Sequence, residues 1–217
     1  LPSIIFTVTN DLNYDQRMQR ICTSMAEAGY NVMLVGRRLQ NSKPLQNKPF
    51  GQKRLFCLFN KGFAFYAEYN IRLFWWLLFK KADIICAIDL DTILPVLFAS
   101  KLRRKKRVYD AHELFTEQVE IITRPRVHKI WLAIEKYAVP KFNHGYTVNQ
   151  FIADEFNRRY SVNYSVIRNL PVYSEDKTIP PNTGNVKPPP ERSSRAGETG
   201  NPCLTTAFGQ AKLETSN

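Results

Sequence analysis

Along the first 172 positions, short apolar runs alternate with stretches in which apolar residues recur every three to four positions. A run bounded by turn residues predicts a buried strand, and the i, i+3, i+4, i+7 recurrence predicts an amphipathic helix. The first strand is predicted over Ile4–Thr9, followed by a helix whose stripe is Met18, Ile21, Cys22 and Met25 and which stops at Gly29. Strands are then predicted at Val32–Val35, Leu55–Phe59, Ile84–Ile88, Val108–Ala111, Tyr146–Val148 and Val166–Ile167. Between them lie a long aromatic helix over Phe63–Lys80 and a helix through Leu94, Leu97 and Phe98. Pro95 is tolerated in that helix because it falls near the first turn. Further helices carry Val127, Ile130, Trp131 and Ile134, and Ile152 with Phe156. Strand and helix in alternation specify an α/β layer fold, a Rossmann-like parallel sheet flanked by helices.

After Tyr173 the pattern stops. Prolines gather at Pro180, Pro181 and Pro188–Pro190, small polar residues fill the rest, and no periodic apolar face remains to offset chain entropy. The expected organisation is therefore one domain over 1–173 and a disordered Pro/Gly/Ser-rich tail over 174–217, whose abrupt onset suggests a truncated gene, a frameshift or a vector scar. The four cysteines, Cys22, Cys57, Cys86 and Cys203, form no C-x-x-C pair and read as free thiols of a reducing cytosol. No signal peptide is visible at the start.

In open parallel sheets ligands bind outside the carboxyl ends of the strands, so polar residues that directly follow each apolar run are the candidates. The first strand delivers Asn10 and Asp11, the fourth Asp89 and Asp91, the fifth Asp110, His112 and Glu113, and the sixth Asn149. Asp91 and Asn149 also stand where helix N-caps belong, and capping alone would account for either. Asp110-Ala111-His112-Glu113 sets a histidine between carboxylates, which suits hydrogen bonding or proton transfer to a sugar hydroxyl. Asp89-Leu90-Asp91 has the D-x-D spacing that can hold a metal against a diphosphate. Two carboxylates are a thin ligand set, however, and no metal site is expected.

Where a dinucleotide-binding glycine loop would stand, the sequence reads Asn10-Asp11-Leu12-Asn13-Tyr14-Asp15, which disfavours a nicotinamide-dependent oxidoreductase. Walker-type, H-E-x-x-H and G-x-S-x-G signatures are absent too. A formal net charge of +12 points to an anionic neighbour. Lys101, Arg103, Arg104, Lys105, Lys106 and Arg107 are a candidate contact with an anionic membrane, or simply a solvated helix end. Phe74-Trp75-Trp76-Leu77-Leu78-Phe79-Lys80-Lys81 could lie in a bilayer interface or pack on the sheet, and it is too interrupted by polar residues to span.

Four strings, N-D-L-N-Y-D-Q-R-M-Q-R, D-L-D-T-I-L-P, V-Y-D-A-H-E-L-F-T-E and V-I-R-N-L-P, together resemble bacterial glycosyltransferases of family four over roughly Ile4 to Pro171. The resemblance implies the N-terminal half of a GT-B fold, two Rossmann-like domains across a cleft, the first holding mostly acceptor and the second mostly donor. It implies retaining transfer from a nucleoside diphosphate sugar, generally without a metal and with no other cofactor, to acceptors such as lipid-linked or cell-surface glycans. Carried over, it makes Asp11, Asp89, Asp91, His112 and Glu113 candidates for the cleft lip, with His112 catalytic and Asn10 and Asn149 as further substrate contacts. The expected setting is cytoplasmic, peripheral at the inner face of the membrane. Because the family continues into a donor domain where this chain has its polar tail, the polypeptide alone is expected to be inactive. The rival reading is a non-catalytic basic α/β module that binds nucleic acid or anionic membrane, of which nucleic acid is the less expected partner.

Overall fold

The computed structural model describes residues 1–168. Seven strands, β1 (Ser3–Thr7), β2 (Asn31–Arg38), β3 (Gly51–Phe56), β4 (Ile84–Ile88), β5 (Lys106–Asp110), β6 (Gly145–Thr147) and β7 (Ser165–Val166), form one sheet in the order β3-β2-β1-β4-β5-β6-β7. Every neighbouring pair is parallel. The connections carry α1 (Gln16–Glu27), α2 (Gly62–Phe79), α3 (Ile93–Leu102), α4 (Val119–Ile122), α5 (Pro125–Ala138) and α6 (Gln150–Tyr160). This is the Rossmann-like architecture that the alternation specified. The tail over 174–217, the 173/174 boundary and Cys203 lie outside the described residues.

Burial on both faces explains why the central strands read as continuous apolar runs. Ile4 and Phe6 of β1, Val32 and Leu34 of β2, and Cys86 and Ile88 of β4 pack with Met18 and Cys22 of α1. The alternate residues Ile5, Val35, Ile85 and Ala87 join the second cluster, with Leu73 and Leu77 of α2, Val96 and Leu97 of α3, and Phe156 of α6. Helix α1 begins at Asp15, whose carboxylate accepts from the Met18 N–H at 3.0 Å, and stops where Gly29 takes φ +91°. Cys22, Cys57 and Cys86 are buried free thiols.

Several boundaries differ from expectation. β1 ends at Thr7, two residues early, which frees the Thr9 hydroxyl to reach Asp91. The third strand is Gly51–Phe56 rather than Leu55–Phe59, because Leu58 and Phe59 turn out to solvent while both their N–H groups donate to the Glu68 carboxylate of α2. In α5, Ile130 is exposed, and the buried positions are Glu135 and Ala138. Glu135 is tolerated inside because the Tyr160 hydroxyl donates to it and Arg159 lies 3.9 Å away.

The run Lys101–Arg107 is not one helix end. α3 stops at Leu102, and Lys106 and Arg107 already belong to β5. Three of its cations are engaged internally. Arg103 donates to the carbonyls of Leu77 (2.8 Å) and Lys80, Lys105 lies 3.8 Å from Asp83, and Arg107 donates to the Lys141 carbonyl at 2.7 Å. Lys101, Arg104 and Lys106 remain exposed. The segment leads into the amino end of β5, the opposite end of the sheet from Asp110, so it lies at the other edge from the rim where the strand-end acids gather.

Candidate functional site

In the order β3-β2-β1-β4-β5 the chain reverses direction of winding between β1 and β4, and the loops leaving those strands diverge to open a crevice at their carboxyl ends. Asp89 leaves β4 at that point with φ 58° and ψ 176°. This backbone conformation is close to one reserved for glycine, and a non-glycine residue held there costs about 1–3 kcal/mol. Its N–H is fixed by the Asp110 carbonyl at 3.0 Å. The carboxylate Oδ1 lies 3.0 Å from Nδ1 of His112, which follows β5. The contact brings the charges together without a fully aligned hydrogen bond.

Burial pulls the His112 pKa down, but the Asp89 contact and charge outweigh it and the net shift is upward. Asp91 sits beside this pair. Burial first, then the Asp89 charge, push its carboxyl up to about 7, while the Thr9 hydroxyl donates to it and holds it back. The Asp91 loop is tied to α2, where Asn70 Nδ2 donates to the Asp91 carbonyl at 3.0 Å. Glu113 accepts from Gln118 Nε2. Asp89, Asp91, His112 and Glu113 are thus electrostatically coupled in one partly buried group.

Below them, Asp110 is fully buried, and the single Nη2 of Arg17 on α1 donates to both of its oxygens, at 2.6 and 2.7 Å. This clamp spans β1 and β4 and fixes the start of α1 against the end of β5. Charge-assisted hydrogen bonds of this kind are roughly twice as strong as neutral ones.

Residues 16–170 match the family model of Glycosyltransferase Family 4. The chain belongs to glycosyltransferase family 4. Solved structures of sugar enzymes share the fold. Sucrose-phosphate synthase from Thermosynechococcus elongatus superimposes with a TM-score of 0.54 at 12% identity, covering 77% of this chain and 47% of that one. Arabidopsis thaliana UGT89C1, solved with UDP-L-rhamnose, gives 0.53 at 10% identity over 79% and 53%. The lipopolysaccharide outer core galactosyltransferase WaaB gives 0.51 at 16% identity over 89% and 50%. The family 4 chain thus spans about half the length of these structures, whose likeness establishes the fold. No curated protein sequence matches it significantly.

Not all strand-end candidates of this family 4 domain join the group. Asp11 is buried and faces the β2–β3 side, where it holds Arg54 at 2.5 Å and accepts from the Ser42 hydroxyl and the Asn13 N–H. Burial raises its pKa, but these donors prevail and leave it lowered, the state of a carboxylate pinning three segments together. Asn10 is exposed, and its carbonyl accepts from Arg37 N–H at 3.1 Å. Asn149 is the N-cap of α6, accepting from Ile152 N–H at 2.9 Å. Asp91, by contrast, is no cap. Thr92 occupies the N-cap of α3, and the Asp91 carboxylate turns to Thr9.

One ligand atom each from Asp89, His112 and Glu113 lies within 4.8 Å of the others, so these three could hold a cation. The second carboxylate of the D-x-D spacing is not among them. A cation there would compete with the Asp89–His112 contact. Arg17, Thr9, Ser42 and Arg54 were not singled out from the sequence, because each acts on a partner far away along the chain. A separate concavity of about 630 Å³, lined by Glu117, His128, Leu132, Lys136, Arg159 and Tyr160, contains none of the rim residues. Its arginine is already spent on Glu117 and Glu155.

Proposed function

We propose that this domain forms the acceptor side of the cleft of a retaining glycosyltransferase, which transfers a sugar from a nucleoside diphosphate sugar to a glycan or lipid-linked acceptor in cell-surface polysaccharide synthesis. The observation that supports it most is the Asp89–His112 pair at the switch point, held on a strained backbone. Strain retained at a strand end is characteristic of sites where geometry is kept for function. His112, paired through Nδ1 and raised in pKa, offers its other ring nitrogen to a sugar hydroxyl and steadies charge there. Asp91 and Glu113 supply acceptors for neighbouring hydroxyls. Asp11, Asn10 and Asn149 are assigned supporting roles, since their contacts shape the loops around the crevice. No cofactor beyond the sugar donor is proposed, and the reaction is placed on the cytoplasmic side.

The domain is proposed to bind acceptor sugars at this rim. A fold neighbour solved with UDP-L-rhamnose fits a sugar-handling role. Chemical-shift titration of the polypeptide with neutral disaccharides should move the His112 imidazole resonances saturably, and His112→Gln should weaken the affinity about tenfold or more. Absence of any shift at His112 would remove the acceptor reading.

A further inference from the structure

A helix lying on the surface of a sheet ordinarily turns polar residues outward. α2 does not. Its inner ridge, Phe65, Tyr69, Leu73 and Leu77, is buried at every fourth position. The opposite ridge repeats the same spacing with Phe63, Ala67, Ile71, Trp75 and Phe79, of which Phe63 is 77% exposed, Ile71 58%, Trp75 56% and Phe79 79%. With large aromatic side chains offering 150–250 Å² each, these four residues present roughly 500 Å² of apolar surface in one stripe. That matches the largest apolar patch found on a monomeric protein, a patch that often serves a function. No helix among the described residues is long and apolar enough to cross a membrane.

Cations frame the stripe. Lys61 precedes the helix and Lys80 and Lys81 follow it, all exposed. Arg103 closes the far end by donating to the carbonyls of Leu77 and Lys80, which draws the end of α3 alongside and adds Lys101, Arg104 and the 69% exposed Leu102 to the same corner. Glu68, the one acid within α2, is occupied by Arg72 at 2.8 Å and by the N–H groups of Leu58 and Phe59. A second copy of the chain laid on the stripe would set lysine against lysine whichever way the helices ran. Duplex nucleic acid would satisfy the cations and leave the aromatic ridge uncovered. An anionic bilayer interface matches both features at once, accepting aromatic side chains at headgroup depth and cations at the phosphate plane.

We infer that the outer face of α2, with the basic corner made by the ends of α2 and α3, is a docking surface for anionic lipid. This site is distinct from the run Lys101–Arg107 taken whole, in which Arg103 and Arg107 are spent on backbone carbonyls and Lys105 lies beside Asp83. It does not depend on the sugar-transfer reading. The test is flotation of the full chain with vesicles of phosphatidylcholine alone and of phosphatidylcholine containing about 30 mol% phosphatidylglycerol. The chain should float with the anionic vesicles and not with the neutral ones, and added salt should release it.

Ile71→Ser/Trp75→Ser/Phe79→Ser and, separately, Lys80→Glu/Lys81→Glu/Lys101→Glu should each lower binding at least tenfold. Every substituted side chain points to solvent, and circular dichroism checks that the fold is kept. Tryptophan emission of the unmutated chain, to which Trp75, Trp76 and Trp131 all contribute, should shift to the blue on anionic vesicles, and that of the serine variant should not. Binding unchanged in the serine variant, no flotation of the unmutated chain, or a dimer in sedimentation that the serine variant abolishes would each overturn the proposal. Competition by single-stranded DNA that leaves the tryptophan emission unmoved would do the same.

Discussion

Replacing Asp89 by glycine and by alanine separates strain from contact. Both variants lose the carboxylate that faces His112, a partly exposed pair worth about 1 kcal/mol or less. Alanine must still adopt φ 58° and ψ 176°, whereas glycine does so freely. Relief of about 1–3 kcal/mol of strain should exceed the roughly 0.5–1 kcal/mol that glycine's greater chain entropy costs. Asp89→Gly is therefore expected to be more stable than Asp89→Ala by about 1–2 kcal/mol, or roughly 2–8 °C in Tm for a domain of this size. Thermal unfolding followed by circular dichroism measures the difference.

The same two proteins report on the histidine. Without Asp89, burial is left as the main influence on His112, so its titration should move to lower pH in both variants. In the parent, a raised histidine pKa adds stability that is complete below the unfolded value and is lost as pH rises through the folded one. Both variants should lose that dependence. Equal stability of the glycine and alanine proteins would show that Asp89 stores no strain. An unmoved His112 titration would show that the pair is incidental.

Three other perturbations bear on the scaffold. Gly36→Ala would place a methyl group 2.4 Å from the Asn10 carbonyl oxygen and 2.5 Å from Leu12 Cδ2, so urea unfolding should show a loss of about 1–3 kcal/mol. Arg17→Leu leaves Asp110 buried without its partner and should cost about 3–5 kcal/mol, and adding Asp110→Asn should recover much of it. Asp91 is raised from 3.8 to about 7, so the folded state holds its proton more tightly, and its contribution to stability falls as pH rises from about 4 to 7. Asp91→Asn should remove that fall, as seen in Tm measured across the range.

Strand β4 matches its expected residues one for one, and α2 falls within one residue at each end, because long apolar runs and sustained periodicity carry their own boundaries. β3 was misplaced because it is an edge strand. Gln52, Lys53 and Arg54 gain their place by pairing with β2 rather than by an apolar pattern of their own. The four residues of α4 are too few to show a period. At the site, Asp89, Asp91, His112 and Glu113 were legible because a parallel sheet presents at its rim the residues just past each strand's carboxyl end. Asp11 obeys the same rule, yet it is turned inward by Arg54, 43 residues away, and Ser42, 31 away, contacts with no local trace. Arg17 reaches Asp110 across 93 residues, and nothing in its neighbourhood marks it.

The most direct measurement is a crystal structure of the chain soaked with a neutral disaccharide. A sugar hydroxyl should lie within hydrogen-bond reach of the free His112 ring nitrogen, with Asp89 still on Nδ1. Sugar seated elsewhere, with the histidine and its carboxylate partner untouched, would contradict the assignment.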